Sequence, residues 1–170
     1  SSKLGRSVVL FPKNGKYTSS AINLLNIRYI VHKLADDHAG WTFPYWMYEN
    51  DQFKLIYKDK MYEFYKNMNV FPHAFLAGKY KVEKDPREIL NLMFDNNLDL
   101  RKEIVLEEDP KMDQANRDLG SAKITSYTSN SIEIAVEAKE KALLFVSENY
   151  YPGWKANING RNVPILRANY

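Results

Sequence analysis

The chain has no cysteine, so disulfides, thiolate metal sites and cysteine nucleophiles are excluded together. Glycine and proline are sparse, at seven each in 170 residues, and neither gathers into a low-complexity tract or a repeat of fixed period. Long apolar runs are missing as well. The longest is Ala142 to Val146, far short of the ~18 residues a spanning helix needs. Charge of one sign is lacking too: 24 Lys and Arg stand against 21 Asp and Glu, a net +3 scattered along the chain. This is an ordinary solvated surface. No basic helix, RNP-like aromatic strand or Cys/His finger accompanies the small excess, so nucleic acid is not an expected partner. A leader of basic, apolar and small residues is absent at Ser1, and so is an initiator Met, which suggests a piece of a longer product.

What is present is aromatic. Hydrophobic residues make up 45% of the chain, with 8 Phe, 3 Trp and 12 Tyr. Such rings suit a pleated, half-buried surface, and a chain of this length can bury ~70% of its unfolded surface. Ser19 or Ser20 is positioned to cap a short helix with Ala21, Leu24 and Leu25 on its apolar face. Asn26 suits the left-handed helix stop, after which Ile27, Tyr29 and Val31 alternate with Arg28, Ile30 and His32 as in a strand. Residues 36–51 hold Trp41, Phe43, Tyr45, Trp46 and Tyr48 in an aromatic loop without a period. Phe53, Leu55 and Tyr57, then Tyr62 and Phe64, predict a hairpin, and Ala74 to Ala77 a further strand.

Asp85, Pro86 and Glu88 together mark a helix start: a side-chain cap, a proline where no amide hydrogen is needed, and an acid suited to the dipole. That helix is expected to bury Ile89, Leu92 and Met93. Residues 102–107 suggest another strand, and the polar 110–120 segment, with Pro110 and Gly120, an internal linker. In the last third, Ile132, Ile134, Val136 and Ala138 oppose Glu133 and Glu137. Leu143 to Val146 is continuous enough to be buried on both faces, and Trp154, Ala156 and Ile158 alternate with Lys155 and Asn157. Asn159-Gly160 supplies the two positive-φ residues of a type I′ hairpin returning through Val163 and Ile165. The spacing predicts an α+β, mainly β fold: an antiparallel, jelly-roll-like β-sandwich core with two short helices packed on it. The expected organisation is a single domain, 1–170, with an α+β half over about 1–109, the linker, and a sandwich half over 121–170.

Leu144-Phe-Val-Ser-Glu-Asn-Tyr-Tyr-Pro-Gly-Trp-Lys-Ala156, then Asn159-Gly160 and Val163-Pro-Ile165, resembles the "SENYYPGWKAYVDGKEVPI" stretch of the YfhO family of bacterial polytopic membrane proteins. In the same order, Leu24-Leu-Asn-Ile-Arg-Tyr-Ile30 is similar to its "LLNVKYII", Val70-Phe-Pro-His-Ala-Phe-Leu76 to its "ALPRAFL", and Asp85-Pro-Arg-Glu-Ile-Leu90 to a helix opening. His73 stands where the family usually has Arg, which weakens any anionic contact there. The chain also stops at Tyr170, before the final glycine-containing hairpin usual in the family, so a sheet edge is expected to be incomplete or completed by another chain. The resemblance implies a domain on the extracytoplasmic side of the bacterial cell membrane, carried by the transmembrane helices of a GT-C-type glycosyltransferase. Sugar would pass from a polyprenyl-phosphate donor to an acceptor, and the catalytic acids would lie outside this chain.

Glu148, Asn149, Tyr150, Tyr151, Trp154 and Lys155 form the densest polar-aromatic cluster, suited to a sugar face: a flat apolar platform with hydrogen bonds at its rim. The same rings equally suit a structural plug, with Pro152 and Gly153 bending the chain. Trp41 and Trp46 join the candidates, either over a substrate cleft or at headgroup depth on the membrane, or else packed on the hairpin at 53–65. His32, Asp36, Asp37 and His38 fit no zinc motif and read as a solvated turn. No cofactor, metal or catalytic residue is expected. Two further functions remain open: a protein-protein interaction or assembly domain using a free sheet edge, and a hydrolase with paired carboxylates such as Glu49 and Asp51.

Overall fold

Among residues 17–36, 51–94, 98–115 and 117–169, which the computed structural model describes, eleven strands and two short α-helices form an α+β, mainly β fold. The chain divides into two compact units, 1–71 and 72–170. The boundary therefore falls at Phe71 and Pro72, ahead of the polar 110–120 segment.

In the first unit, helix α1 (Thr18–Leu24) starts at Tyr17, whose side chain makes no capping bond. The serines are thus not its cap. Its wholly buried residue is Ile22, while Leu25 is 62% exposed, so the buried face lies one position away from the expected stripe. The helix ends in a Schellman arrangement: Asn26 has φ 56°, its N–H bonds Asn23 O, and the Ile27 N–H bonds Ile22 O. A three-stranded sheet follows, built from β1 (Tyr29–Lys33), β2 (Phe53–Lys58) and β3 (Tyr62–Asn67) in the antiparallel order β1-β3-β2. A bulge interrupts β2 between Leu55 and Tyr57. Asp59 closes the β2–β3 turn by accepting the N–H groups of Met61 and Tyr62, both at 2.7 Å. Those amides hold its carboxyl below the usual aspartate range.

The inward face of this sheet is unusually polar, with His32, Glu63 and Asn67 buried beside Phe53. His32 is thus a strand residue at 2% exposure, not part of a solvated turn. Glu63 accepts from Lys58 at 2.6 Å and from the Tyr65 hydroxyl at 2.8 Å. Asn67, with no exposed surface, donates to Asn23 Oδ1 at 2.8 Å and to Ile27 O at 3.0 Å, and accepts from the Asn69 N–H at 3.0 Å. It joins the end of β3 to α1 through a satisfied buried amide.

In the second unit, β4 (Ala74–Ala77) pairs antiparallel with β9 (Leu143–Val146) and also lies alongside β7 (Gly120–Tyr127). Strand β7 in turn pairs with β8 (Ile132–Ala138). Phe75 and Phe145 face each other across the β4–β9 ladder with ring centroids 4.9 Å apart. Leu144 is 36% exposed, so β9 is not buried on both faces; an antiparallel pair can leave one face to water. Strand β5 (Lys79–Val82), helix α2 (Pro86–Phe94) and β6 (Glu103–Leu106) form a β-α-β unit whose strands run parallel. The sequence pattern, which sets the antiparallel sandwich at 121–170, does not foresee this parallel pair, which lies ahead of it.

Asp85 caps α2 as expected, accepting from the Arg87 N–H at 2.8 Å and the Glu88 N–H at 3.3 Å. The helix buries Ile89 and Met93, with Leu92 half-buried. Ile104, Val105 and Leu106 are at most 2% exposed, the continuous apolar run of a parallel strand covered on both sides. The last residues pair with the other edge of β6: Val105 and Asn169 exchange two bonds of 2.8 Å, and Leu106 bridges Ala168. The 110–120 segment lies on the β5 edge, where the Ala115 N–H bonds Gly78 O at 2.9 Å and the Tyr80 hydroxyl bonds Met112 O. A Cβ at Gly78 would lie 2.5 Å from Ala115 O, so only glycine admits that approach.

Replacing Asn67 by Ala removes its bonds to Asn23 Oδ1 and Ile27 O and the one it accepts from the Asn69 N–H. We expect a loss of about 3 kcal/mol in the stability of the first unit. Hydrogen exchange should accelerate across α1 and β1–β3 far more than in β4–β9; equal acceleration in both units, or none, would contradict this assignment.

Candidate functional site

Strand β9 leads directly into the Pro-Gly-Trp bend. The Ser147 N–H bonds His73 O at 2.8 Å, holding the exit of β9 against the residue just before β4. Glu148 Oε1 then lies 2.7 Å from His73 Nε2 and accepts the Tyr127 hydroxyl at 2.6 Å. The His73 and Tyr127 rings stand 5.4 Å apart at 54°. One carboxylate oxygen thereby joins the start of β4, the end of β7 and the end of β9. Hydrogen bonds to an ionised carboxylate are roughly twice as strong as neutral ones. The Glu148 bond raises the Tyr127 hydroxyl above the ordinary phenol range, because ionising the phenol would break it beside a negative charge.

Beyond Glu148 the chain turns. The Trp154 N–H bonds Tyr151 O at 3.0 Å, with Pro152 in the second position of the turn, where its fixed φ fits. Gly153 is not among the residues with positive φ. Its lack of a side chain serves packing: a Cβ there would lie 2.3 Å from Tyr151 Cε1. The tyrosine ring therefore lies over the glycine. Strands β10 (Ala156–Ile158) and β11 (Arg161–Val163) follow as a two-stranded hairpin. Asn159 and Gly160 take φ of 50° and 81°, as a type I′ turn demands. The Asn157 side chain accepts the Gly160 N–H at 2.8 Å.

Bend and hairpin enclose a shallow cleft of about 270 Å³. Its lining is Tyr150, Tyr151, Pro152, Trp154, Lys155 and Ala156 from the bend and first hairpin strand, with Asn162, Val163 and Ile165 from the return. Tyr150 and Tyr151 are 52% and 67% exposed, and Trp154 is half-buried. The fold thus brings Tyr150, Tyr151, Trp154 and Lys155 to one place. It does not bring Glu148 or Asn149 there: Glu148 is engaged by His73 and Tyr127, and Asn149 is exposed outside the lining. Trp41 and Trp46 lie outside the described residues. Sequence reasoning missed Asn162, Val163 and Ile165 as lining, although the type I′ turn already returned them beside Ala156. It also missed the roles of His73 and Tyr127, which no local spacing signals.

The lining carries one cation, one amide and four ring-bearing side chains, and no carboxylate. It offers stacking and hydrogen bonding rather than acid–base chemistry. A volume just under the ~300 Å³ of enclosed ligand pockets suits a single ring resting on a surface. Among the described residues, no three His, Asp or Glu side chains gather as metal ligands.

Two outcomes follow from this geometry. A phenol with a raised pKa contributes stability below the ordinary tyrosine range and loses it as pH rises through its own pKa. The difference in denaturation midpoint between the parent chain and Tyr127→Phe should therefore be present at neutral pH and vanish at strongly alkaline pH. A difference that grows with pH would contradict the bond. Gly153→Ala should displace the Tyr151 ring, seen as a changed ring-proton environment, with a stability change within about 1 kcal/mol because an exposed ring is free to swing aside. An unmoved ring would refute the contact. Comparison of the chain with family models, curated proteins and solved structures returned no match.

Proposed function

We propose that this chain is an extracytoplasmic accessory domain of a polytopic membrane glycosyltransferase-like protein, and that it holds a glycan or cell-envelope polymer acceptor for sugar transfer from a polyprenyl-phosphate donor. The likeness of residues 144–165 to the YfhO family supplies the context. The observation that carries the reading is the cleft, where two exposed tyrosines and a half-buried tryptophan meet Lys155 and Asn162. Pyranose rings present flat C–H faces edged by hydroxyls. Aromatic rings take the first, while the ammonium and the amide take the second.

In this role the cleft binds and orients, and the reacting groups belong to the membrane-embedded part of the parent protein. Acceptor chains gain effective concentration by being tethered beside the active site.

Titrating the chain with cell-envelope oligosaccharides should change Trp154 fluorescence, a signal lost in Trp154→Phe. Tyr150→Ala and Tyr151→Ala should each weaken binding about fivefold, the equivalent of ~1 kcal/mol per ring. In the full-length parent, deleting 147–166 should reduce transfer. Undiminished transfer, together with flat fluorescence titrations, would overturn the reading.

A further inference from the structure

The outer face of the β1-β3-β2 sheet is the strongest feature that the cleft does not use. Directly opposed residues of antiparallel strands share a face. The register therefore sets Tyr29, Lys66 and Lys54 in one row, Val31, Phe64 and Tyr57 in the next, and Lys33 with Tyr62 in a third. All lie opposite the buried His32, Glu63 and Asn67. Tyr29, Val31 and Tyr57 are 53%, 56% and 53% exposed. The rows themselves contain no acid, although the adjoining Asp59 accepts from the Tyr57 hydroxyl at 3.2 Å, and among the described residues Lys33, Lys54 and Lys66 have no ion-pair partner. Lys54 and Lys66 stand directly across from one another, an arrangement that costs stability unless an anion lies over it.

We propose that this face rests on the surface of an anionic lipid bilayer. The face is three strands or ~10 Å across and five residues or ~17 Å long. It offers cations and apolar contact in the same layer: lysine stems reach past the rings to phosphates, tyrosines take headgroup depth, and Val31 meets the acyl boundary. A polyanion dissolved in water answers the lysines but leaves Val31 exposed. Stacked nucleobases fit less well, because Tyr57 and Phe64 meet edge to face, with centroids 5.4 Å apart at 82°, and so offer no pair of parallel platforms. The inference does not rest on the glycan reading, since the face and the cleft belong to different units.

The test is cosedimentation of the 170-residue chain with phosphatidylglycerol vesicles and with phosphatidylcholine vesicles. The chain should partition onto the first and not the second, and added salt should weaken binding. Lys33→Gln, Lys54→Gln and Lys66→Gln should each lower the partition coefficient about fivefold, and the three together about a hundredfold. Tyr29→Ser with Tyr57→Ser should lower it with little dependence on salt. Lys81→Gln, Lys123→Gln and Lys141→Gln together remove the same charge from the second unit and should leave binding within about twofold. In the absence of vesicles, Lys66→Gln should hold or raise the thermal midpoint by relieving the Lys54 repulsion, which shows that the variant folds. Equal binding to both vesicles, no binding, equal losses in the two triple variants, or a preference for a single-stranded oligonucleotide over the vesicles would each overturn the proposal.

Discussion

Glu148 organises the second unit. Hydrophobic burial is non-directional and does not by itself fix which strand end lies beside which. A carboxylate oxygen 2.7 Å from an imidazole and 2.6 Å from a phenol does. With the Ser147 N–H bonded to His73 O, the exit of β9 is pinned to β4 and β7. The bend that follows then starts from a fixed point, and Tyr150, Tyr151 and Trp154 assemble with the β10–β11 hairpin into a cleft. The acid serves the site by positioning it, through partners that lie outside the cleft lining.

The first unit uses the same device in neutral form. Asn67 is wholly buried, and its two donors and its acceptor oxygen bind the helix, the strand entry and the following turn. Such directional polar side chains set specificity where the apolar core is small, because leaving any of them unpaired costs more than the bond itself contributes. The terminal residues add a third example, with Asn169 exchanging bonds with Val105 along the free edge of β6. That pairing occupies an edge strand that would otherwise be open.

Much of this was legible along the chain. Period-two alternation located β2, β3, β8 and the hairpin strands, Asp85-Pro86 announced α2, and Asn26 and Asn159-Gly160 marked their positive-φ stops, because each signal is local. What depended on distant partners was not legible. The parallel β5–β6 pairing needs the α2 crossover to be placed first. The Glu148 contacts join residues 75 and 21 positions apart. In β1 the tyrosine and valine face outward while His32 goes in, since the buried side of that sheet is built from polar residues that hydrophobic patterning does not mark. At the cleft, composition pointed to the aromatic cluster, but it also assigned Glu148 to the rim, where a free carboxylate would hydrogen-bond a sugar. The structure gives that carboxylate two internal donors instead. His73 is one of them, its Nε2 2.7 Å from the carboxylate.

The claim that Glu148 is an internal clasp is tested most directly by a double-mutant cycle over His73→Ala and Glu148→Ala, read by chemical denaturation. The account predicts a coupling of about 1 kcal/mol or more between the two positions. Losses that add to within about 0.3 kcal/mol would show that the two side chains act independently and would contradict it.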